Sequence, residues 1–164
     1  MREGLADSFG KIRRDAQIAL HGLGTLDSVE VVRDVLTDQW WPVRLAVVAP
    51  LGEIAGPTPV EVLRGLLMDE SPEVRRAAVS VLSGVDRRAG DEVLKQAVGD
   101  RHHAVRWRAV QLITDFDDPT WAETLAPLLF DRHPHTRKSA ASALRQWTCS
   151  GVDPEQCIYR AIAC

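Results

Sequence analysis

Apolar residues recur along this chain at helical spacing, in two alternating registers. Val43, Val47, Leu51 and Ile54 stand four, four and three residues apart, which lays one stripe along an amphipathic helix. A second stripe follows at Leu63, Leu66 and Leu67, with the i, i+3, i+4 spacing of another buried helix face. The same two patterns return down the chain, so the predicted unit is a helix pair. The first helix of each pair opens after an Asp, with Pro42, Pro72 or Pro134 in its first turn, where a missing N–H does no harm. Gly22, Gly24, Gly56 and Gly84 lie near its end and favour termination.

The pattern is an internal repeat. Asp occurs at Asp7, Asp38, Asp69, Asp100 and Asp131, a constant step of 31 residues. Arg13, Arg44, Arg75, Arg106 and Arg137 keep the same step. So do core columns such as Ile12, Val43, Val74, Val105, Thr136 and Leu20, Leu51, Leu82, Ile113, Leu144. The chain has 14 Asp and 17 Arg, so five matches in both columns exclude coincidence. Second helices carry Val32, Val35, Leu36, then Leu63, Leu66, Leu67, then Leu94, Ala97, Val98, then Leu125, Leu128, Leu129. Their other side pairs Glu30, Glu61 and Glu92 with Arg33, Arg64 and Lys95, a solvated face. A single helix pair cannot bury its stripes, so stacked neighbours must share a core. The expected organisation is one domain over 1–164, with repeats at about 7–37, 38–68, 69–99, 100–130 and 131–164. The last repeat departs from the step at Thr148–Val152, and a helix restarting at Asp153-Pro154 would cap the array.

Composition narrows the function classes. At 164 residues the chain suits one domain with a sizeable core. Its net charge of −3 argues against a dedicated nucleic-acid binder. Cys149, Cys157 and Cys164 form no CxxC pair and read as small buried hydrophobes. No apolar run approaches a membrane span, and the polar first residues lack the apolar stretch of a secretion signal. A soluble, cytoplasmic protein is expected. The 17 Arg against 3 Lys point to a GC-rich bacterial genome.

Segments such as DESPEVRRAAVSVLSGV (69–85) and DQWWPVRLAVVAPLGEIAG (38–56) resemble HEAT-like repeats of the short, bilin-lyase-associated type. The resemblance covers nearly the whole chain. It implies an all-α fold, an α-solenoid of about five helix pairs in a right-handed superhelix, with second helices lining the concave face. The first repeat departs from it, with Asp15 where later copies have Ala46 and Ala77. Pro50 is expected to kink the first helix of its repeat. Such repeats occur in scaffolds, adaptors, chaperone-like subunits, bilin lyases and one class of DNA glycosylase.

A residue present in every repeat serves the repeat, so the Asp column is expected to cap first helices and the Arg column to reach an Asp of a neighbouring repeat. Function is sought where the pattern breaks. Trp147 shares a core column with Leu23 and Phe116, and Trp107 a mostly polar, outward one. Trp40 and Trp41 lie in an inter-repeat loop, as do His102-His103 and His133-Pro134-His135. The four loop histidines are a weak zinc signal, without a carboxylate or Cys at suitable spacing. In TWAETLAPLLF (120–130), Ala126 replaces the base of the other copies, Pro127 replaces Asp34 and Phe130 replaces Thr37. An apolar patch at Trp121, Ala126, Pro127 and Phe130 is expected on the inner face, unless a capping helix or the Pro127 kink covers it. The leading reading is a non-catalytic protein- or peptide-binding scaffold or adaptor. Arg33, Arg64 and Lys95 would supply charge, Met68, Trp121 and Phe130 apolar anchors, and Trp40 and Trp41 a loop-edge contact. No catalytic residue, cofactor or metal is assigned, and nucleic acid or membrane partners are not expected. The alternatives are an enzyme on the same scaffold, DNA-glycosylase-like or bilin-lyase-like, or an accessory or maturation subunit of a neighbouring enzyme.

Overall fold

The computed structural model describes residues 35–51, 58–84 and 87–148, which hold helices and turns and no strand. The α-helices are α1 (Trp41–Ala46), α2 (Val48–Leu51), α3 (Thr58–Leu66), α4 (Pro72–Val81), α5 (Arg87–Val98), α6 (His103–Asp115), α7 (Ala122–Leu125) and α8 (Pro134–Thr148). Short 3-10 segments lie at Leu82–Gly84, Pro119–Trp121 and Ala126–Phe130. In repeat order, α1–α2, α4, α6 and α8 are first helices. Second helices are α3, α5, and α7 with its 3-10 flanks. The expected first repeat up to residue 34, with Arg33, and the closing helix with its three cysteines lie outside the described residues.

The chain forms two compact units, Met1–Ala89 and Gly90–Cys164. The reading of 1–164 as one domain, with its repeat boundaries, rests on the sequence period. In the first unit α4 packs on α1, α2 and α3. Val43, Val47 and Leu51, Leu63, Leu66 and Leu67, and Val74, Ala78 and Leu82 are buried there. In the second unit α8 packs on α6, α7 and the segment Ala126–Phe130. There Val105, Ala109 and Ile113, Leu125 and Leu128, and Ala140, Leu144 and Trp147 are buried. These are the stripes that the spacing lays out, and each fully buried large aliphatic chain is worth about 1.5–3 kcal/mol of burial free energy.

Prolines decide where two helices break. Pro50 has no N–H to give to the carbonyl of Ala46, and the first helix is interrupted at Val47, between α1 and α2. Pro127 likewise leaves the carbonyl of Glu123 without its helical partner. The helix gives way after Leu125 to the 3-10 segment Ala126–Phe130.

The Asp column turns the chain rather than capping it. The N-cap residues of α1, α4 and α6 are Trp40, Ser71 and His102, two positions after the Asp in each repeat. The Asp carboxylate accepts the N–H of that later residue: Trp40 to Asp38 at 2.7 Å, Ser71 to Asp69 at 2.8 Å, His102 to Asp100 at 2.7 Å. His133 donates to Asp131 in the same way at 2.8 Å. This is an Asx turn, which the short Asp side chain makes without strain. It replaces the direct cap expected from sequence, because the Asp sits two residues before the N-cap and cannot reach the first free helical N–H groups.

The Arg column joins repeats, as its spacing suggests. Arg44 holds the Asp69 carboxylate in a fork, Nε to Oδ2 at 2.6 Å and Nη2 to Oδ1 at 2.7 Å. Arg106 grips Asp131 identically at 2.5 and 2.8 Å. The Nη1 of each donates to the carbonyl of the Asp that opens its own repeat, Asp38 or Asp100, at 2.6 Å. Arg75 and Arg137 make the same backward contact, to Asp69 at 2.6 Å and to Asp131 at 2.8 Å. The side chains of the Arg106–Asp131 pair are only 10% and 5% exposed, so removing one partner strands a buried charge.

Asn in place of Asp131 keeps an acceptor for the His133 N–H but cannot neutralise Arg106. This variant is expected to lose about 3 kcal/mol in urea unfolding. Lys95→Ala, at the exposed Lys95–Glu92 pair, should leave the midpoint unchanged.

Candidate functional site

Second helices present one repeating exposed face. In α3 it runs through Glu61, Arg64 and Gly65 to Met68 just beyond the helix; in α5, through Glu92, Lys95 and Gln96 to Gly99. The i, i+3, i+4, i+7 spacing is one side of a helix, opposite the buried stripe. Lys95 reaches back to Glu92 Oε1 at 2.7 Å, and that contact raises the Lys95 pKa. In the fourth repeat the face keeps Glu123, Pro127 and Phe130, but Ala126 turns inward and is buried.

The expected apolar patch is therefore corrected at two of its four positions. Trp121 is 5% exposed and Ala126 1%. Asp118 accepts the Thr120 N–H at 3.0 Å and opens a 3-10 turn, with the Trp121 N–H on the Asp118 carbonyl at 3.3 Å. That turn points the indole into the core instead of out to a partner. A signal was present in the sequence: the corresponding residues are Ser28, Pro59 and Gly90, small or compact, and Gly90 is buried. Phe130 is displayed, at 71% exposure, as is Met68 at 70%.

Trp40 and Trp41, at the entry to α1, are 53% and 41% exposed. Thr37, Asp38, Gln39, Trp40 and Val43 line a shallow, open depression beside them. Within the first unit the structure thus displays Trp40, Trp41, Arg64 and Met68, and within the second Lys95 and Phe130. Trp147 is buried, as its column predicts, and Trp107 is half-buried with its Nε1 donating to Ser139 Oγ at 3.1 Å.

The histidine loops of the second unit do meet. The rings of His103 and His133 stack face to face, 3.7 Å apart and 8° from parallel. His102 continues the stack on His103 at 4.7 Å, and His135 leans on His133 at 5.4 Å. The His102 Nδ1 accepts the Ala104 N–H at 3.4 Å and caps α6. Lone pairs of near-parallel rings run side by side and do not converge. Among the described residues no group of three or more His, Cys, Asp or Glu could hold a metal ion. Partial burial lowers the His103 pKa below its ordinary 6.5, and the neighbouring His133, His102 and Arg106 lower it further.

In the Asp–Arg pairs the lowered values instead favour the charged form. Burial pushes the Asp69 carboxyl up, but the Arg44 guanidinium and the Ser71 N–H more than offset this and leave it below its ordinary 3.8. Asp131 is lowered by Arg106 first, against burial, with help from the His133 N–H.

A sequence profile described as HEAT repeats matches residues 1–86 and 90–157. The chain belongs to the HEAT-repeat family. Its repeats are those of an all-helical α-solenoid fold. The match is to HEAT repeats in general and does not single out the bilin-lyase-associated type. No functionally curated protein matches the sequence. Among solved structures, this HEAT-repeat chain is similar to a computationally designed armadillo repeat protein for modular peptide recognition. That match has 19% identity and a TM-score of 0.56, and covers 99% of this chain and 84% of that one. It is similar also to a designed armadillo repeat protein in complex with peptide (KR)4, with 16% identity, 90% and 77% coverage and a TM-score of 0.54. An engineered protein aligns at 20% identity over 94% of this chain and 88% of that one, with a TM-score of 0.53. No helix among the described residues is long and apolar enough to cross a membrane.

Two stability tests follow. Trp121→Ala should cost about 3–5 kcal/mol in urea unfolding, as a core truncation does. A displayed tryptophan would cost far less. Because His103 titrates below its unfolded value, the unfolded chain takes up its proton first as pH falls, so stability declines from about pH 6.5 downward to the folded pKa. The Asp69 and Asp131 contributions are complete above about pH 4 and are lost only below it, as pH falls through their lowered values. Thermal melts should show the upper step in the wild type and a reduced one in His103→Phe, with the acid step kept.

Proposed function

We propose that this HEAT-repeat protein is a non-catalytic scaffold or adaptor that binds a protein or peptide segment. Its contacts are the exposed faces of its second helices and the Trp40–Trp41 corner. One observation carries the reading: Trp40, Trp41, Met68 and Phe130 are displayed at 41–71% exposure while the cores of both units are filled by other residues. Large apolar side chains ringed by charge are the usual anchors of a recognition surface. Tryptophan is among the residues whose truncation costs most at interfaces. Arg64 and Lys95, exposed beside Glu61 and Glu92, supply that charged surround and fix the register of a bound segment. Arg33 falls in the same column and belongs to the proposal by its position in the repeat. The proposal takes this side of the second helices as the inner face that the HEAT resemblance implies.

Two designed armadillo repeat proteins of similar fold are named for peptide recognition or for a bound peptide, which supports a peptide or an extended protein segment as the ligand class. The burial of Trp121 weighs against a glycosylase-like cleft, because it withdraws the aromatic that would stack a nucleotide.

The test is a peptide selected by display against the wild-type protein, with Kd measured by fluorescence anisotropy. The Trp40→Ala/Trp41→Ala variant, or Phe130→Ala, should bind it at least about tenfold more weakly, near 1.4 kcal/mol, with helicity unchanged. Equal affinity in both variants would discard this surface as the binding site.

A further inference from the structure

We infer that the loops 100–103 and 131–135 of the second unit form a separate docking edge for a carboxylate-rich peptide segment, and that binding there draws protons onto the stacked histidines. The charge pattern carries the first half. Residues 101–108, RHHAVRWR, hold three Arg and no acid, and 132–138, RHPHTRK, hold two Arg, one Lys and no acid. The flanking Asp131 is committed to Arg106, which it neutralises, and Asp100 accepts the His102 N–H. Arg101, Arg132, His135, Arg137 and Lys138 stand exposed along the two loops and the first turn of α8.

This edge is not a requirement of the repeat. The corresponding stretch 70–76 of the first unit, ESPEVRR, balances two Glu against two Arg. A cluster of three acids, Asp115, Asp117 and Asp118, lies at the far end of α6 from this edge. The basic edge is also where the 13-residue α6 and the 15-residue α8 begin, so both positive helix ends add to its field.

The stack carries the second half. His103 and His133 lie face to face at 3.7 Å, so charging one opposes charging the other. The groups around His103 are His102, His133, Arg106 and Asp131, and Asp131 is already shared with Arg106. His135 lies against His133 on the outer side. Around His103 the cationic groups outnumber the single carboxylate, Asp131, which Arg106 already engages, and a bound carboxylate would supply further counter-charge. By linkage, the segment that favours protonation binds more tightly where protons are available.

A peptide fits better than a nucleic acid. The basic edge spans two loops only, whereas a phosphate backbone is held through a longer track of contacts, and the whole chain is at −3.

The probe is a fluorescein-labelled octaglutamate in about 20 mM salt, where exposed charges are weakly screened. Wild-type protein should bind it. Arg132→Glu/Lys138→Glu, at exposed positions outside the core, should weaken binding about tenfold or more with helicity unchanged. Arg76→Glu, an exposed base outside both proposed surfaces, should leave it unchanged. Lowering the pH from about 7.5 to 6.0 keeps glutamate ionised and should tighten binding several-fold. His103→Phe/His133→Phe, which retains stacked rings, should abolish that pH response. The proposal is overturned by no binding, by equal binding in the charge-reversed edge, by a pH response that survives in the His variant, or by tighter binding of a single-stranded oligonucleotide of equal charge. The outcome is independent of the scaffold test, because the two experiments alter different residues.

Discussion

In each of the two units, one guanidinium closes two loops. Arg44 and Arg106 each place Nη1 on the carbonyl that opens their own repeat and clasp with Nε and Nη2 the carboxylate that opens the next. That carboxylate also turns its own loop, by accepting the N–H two residues on. Position, direction and spacing of the first helices thus meet in a single planar group. Lysine could not substitute, since a point charge lacks the fixed fork that satisfies a carboxylate and a carbonyl together. The pairs are largely buried, so their value lies less in net attraction than in the cost of mispairing.

With the register held in this way, the remaining positions are free to diverge. The apolar stripes need only volume and spacing, and Val, Leu, Ile and Ala exchange along them. Outward faces need still less. Large side chains accumulate at the ends of second helices and at helix entries, where Met68, Phe130, Trp40 and Trp41 are displayed without disturbing either core. Recognition can therefore be written onto the repeat without altering what folds it.

Charge is distributed by the same logic. The Arg44–Asp69 and Arg106–Asp131 pairs are consumed in joining consecutive repeats, and what is left over defines the surface. On second helices the remainder is paired, as in Glu92 and Lys95. At the loop edge of the second unit it is unbalanced and basic, and imidazoles stack there in the space between consecutive loops. The two surfaces differ in chemistry, one apolar with mixed charge and one cationic and titratable, so they suit different ligands.

The period of 31 made the helix pairs, the core stripes, the inter-repeat Arg–Asp contact and the break at Pro50 legible from the sequence alone. Those features depend on local spacing, and spacing is written along the chain. Tertiary structure decided the rest. The Asp column reads as a cap but serves as an Asx turn, because its role depends on where the helix begins to within one residue. Trp121 and Ala126 break a polar pattern, and still they are buried, Trp121 because the 3-10 turn before α7 carries its indole inward. His103 and His133, one residue off the repeat step, reveal themselves as a face-to-face stack only when the two loops are set side by side. Rotation about a helix axis and the distance between loops are properties of packing, so which side chains are displayed could be read only from the folded chain.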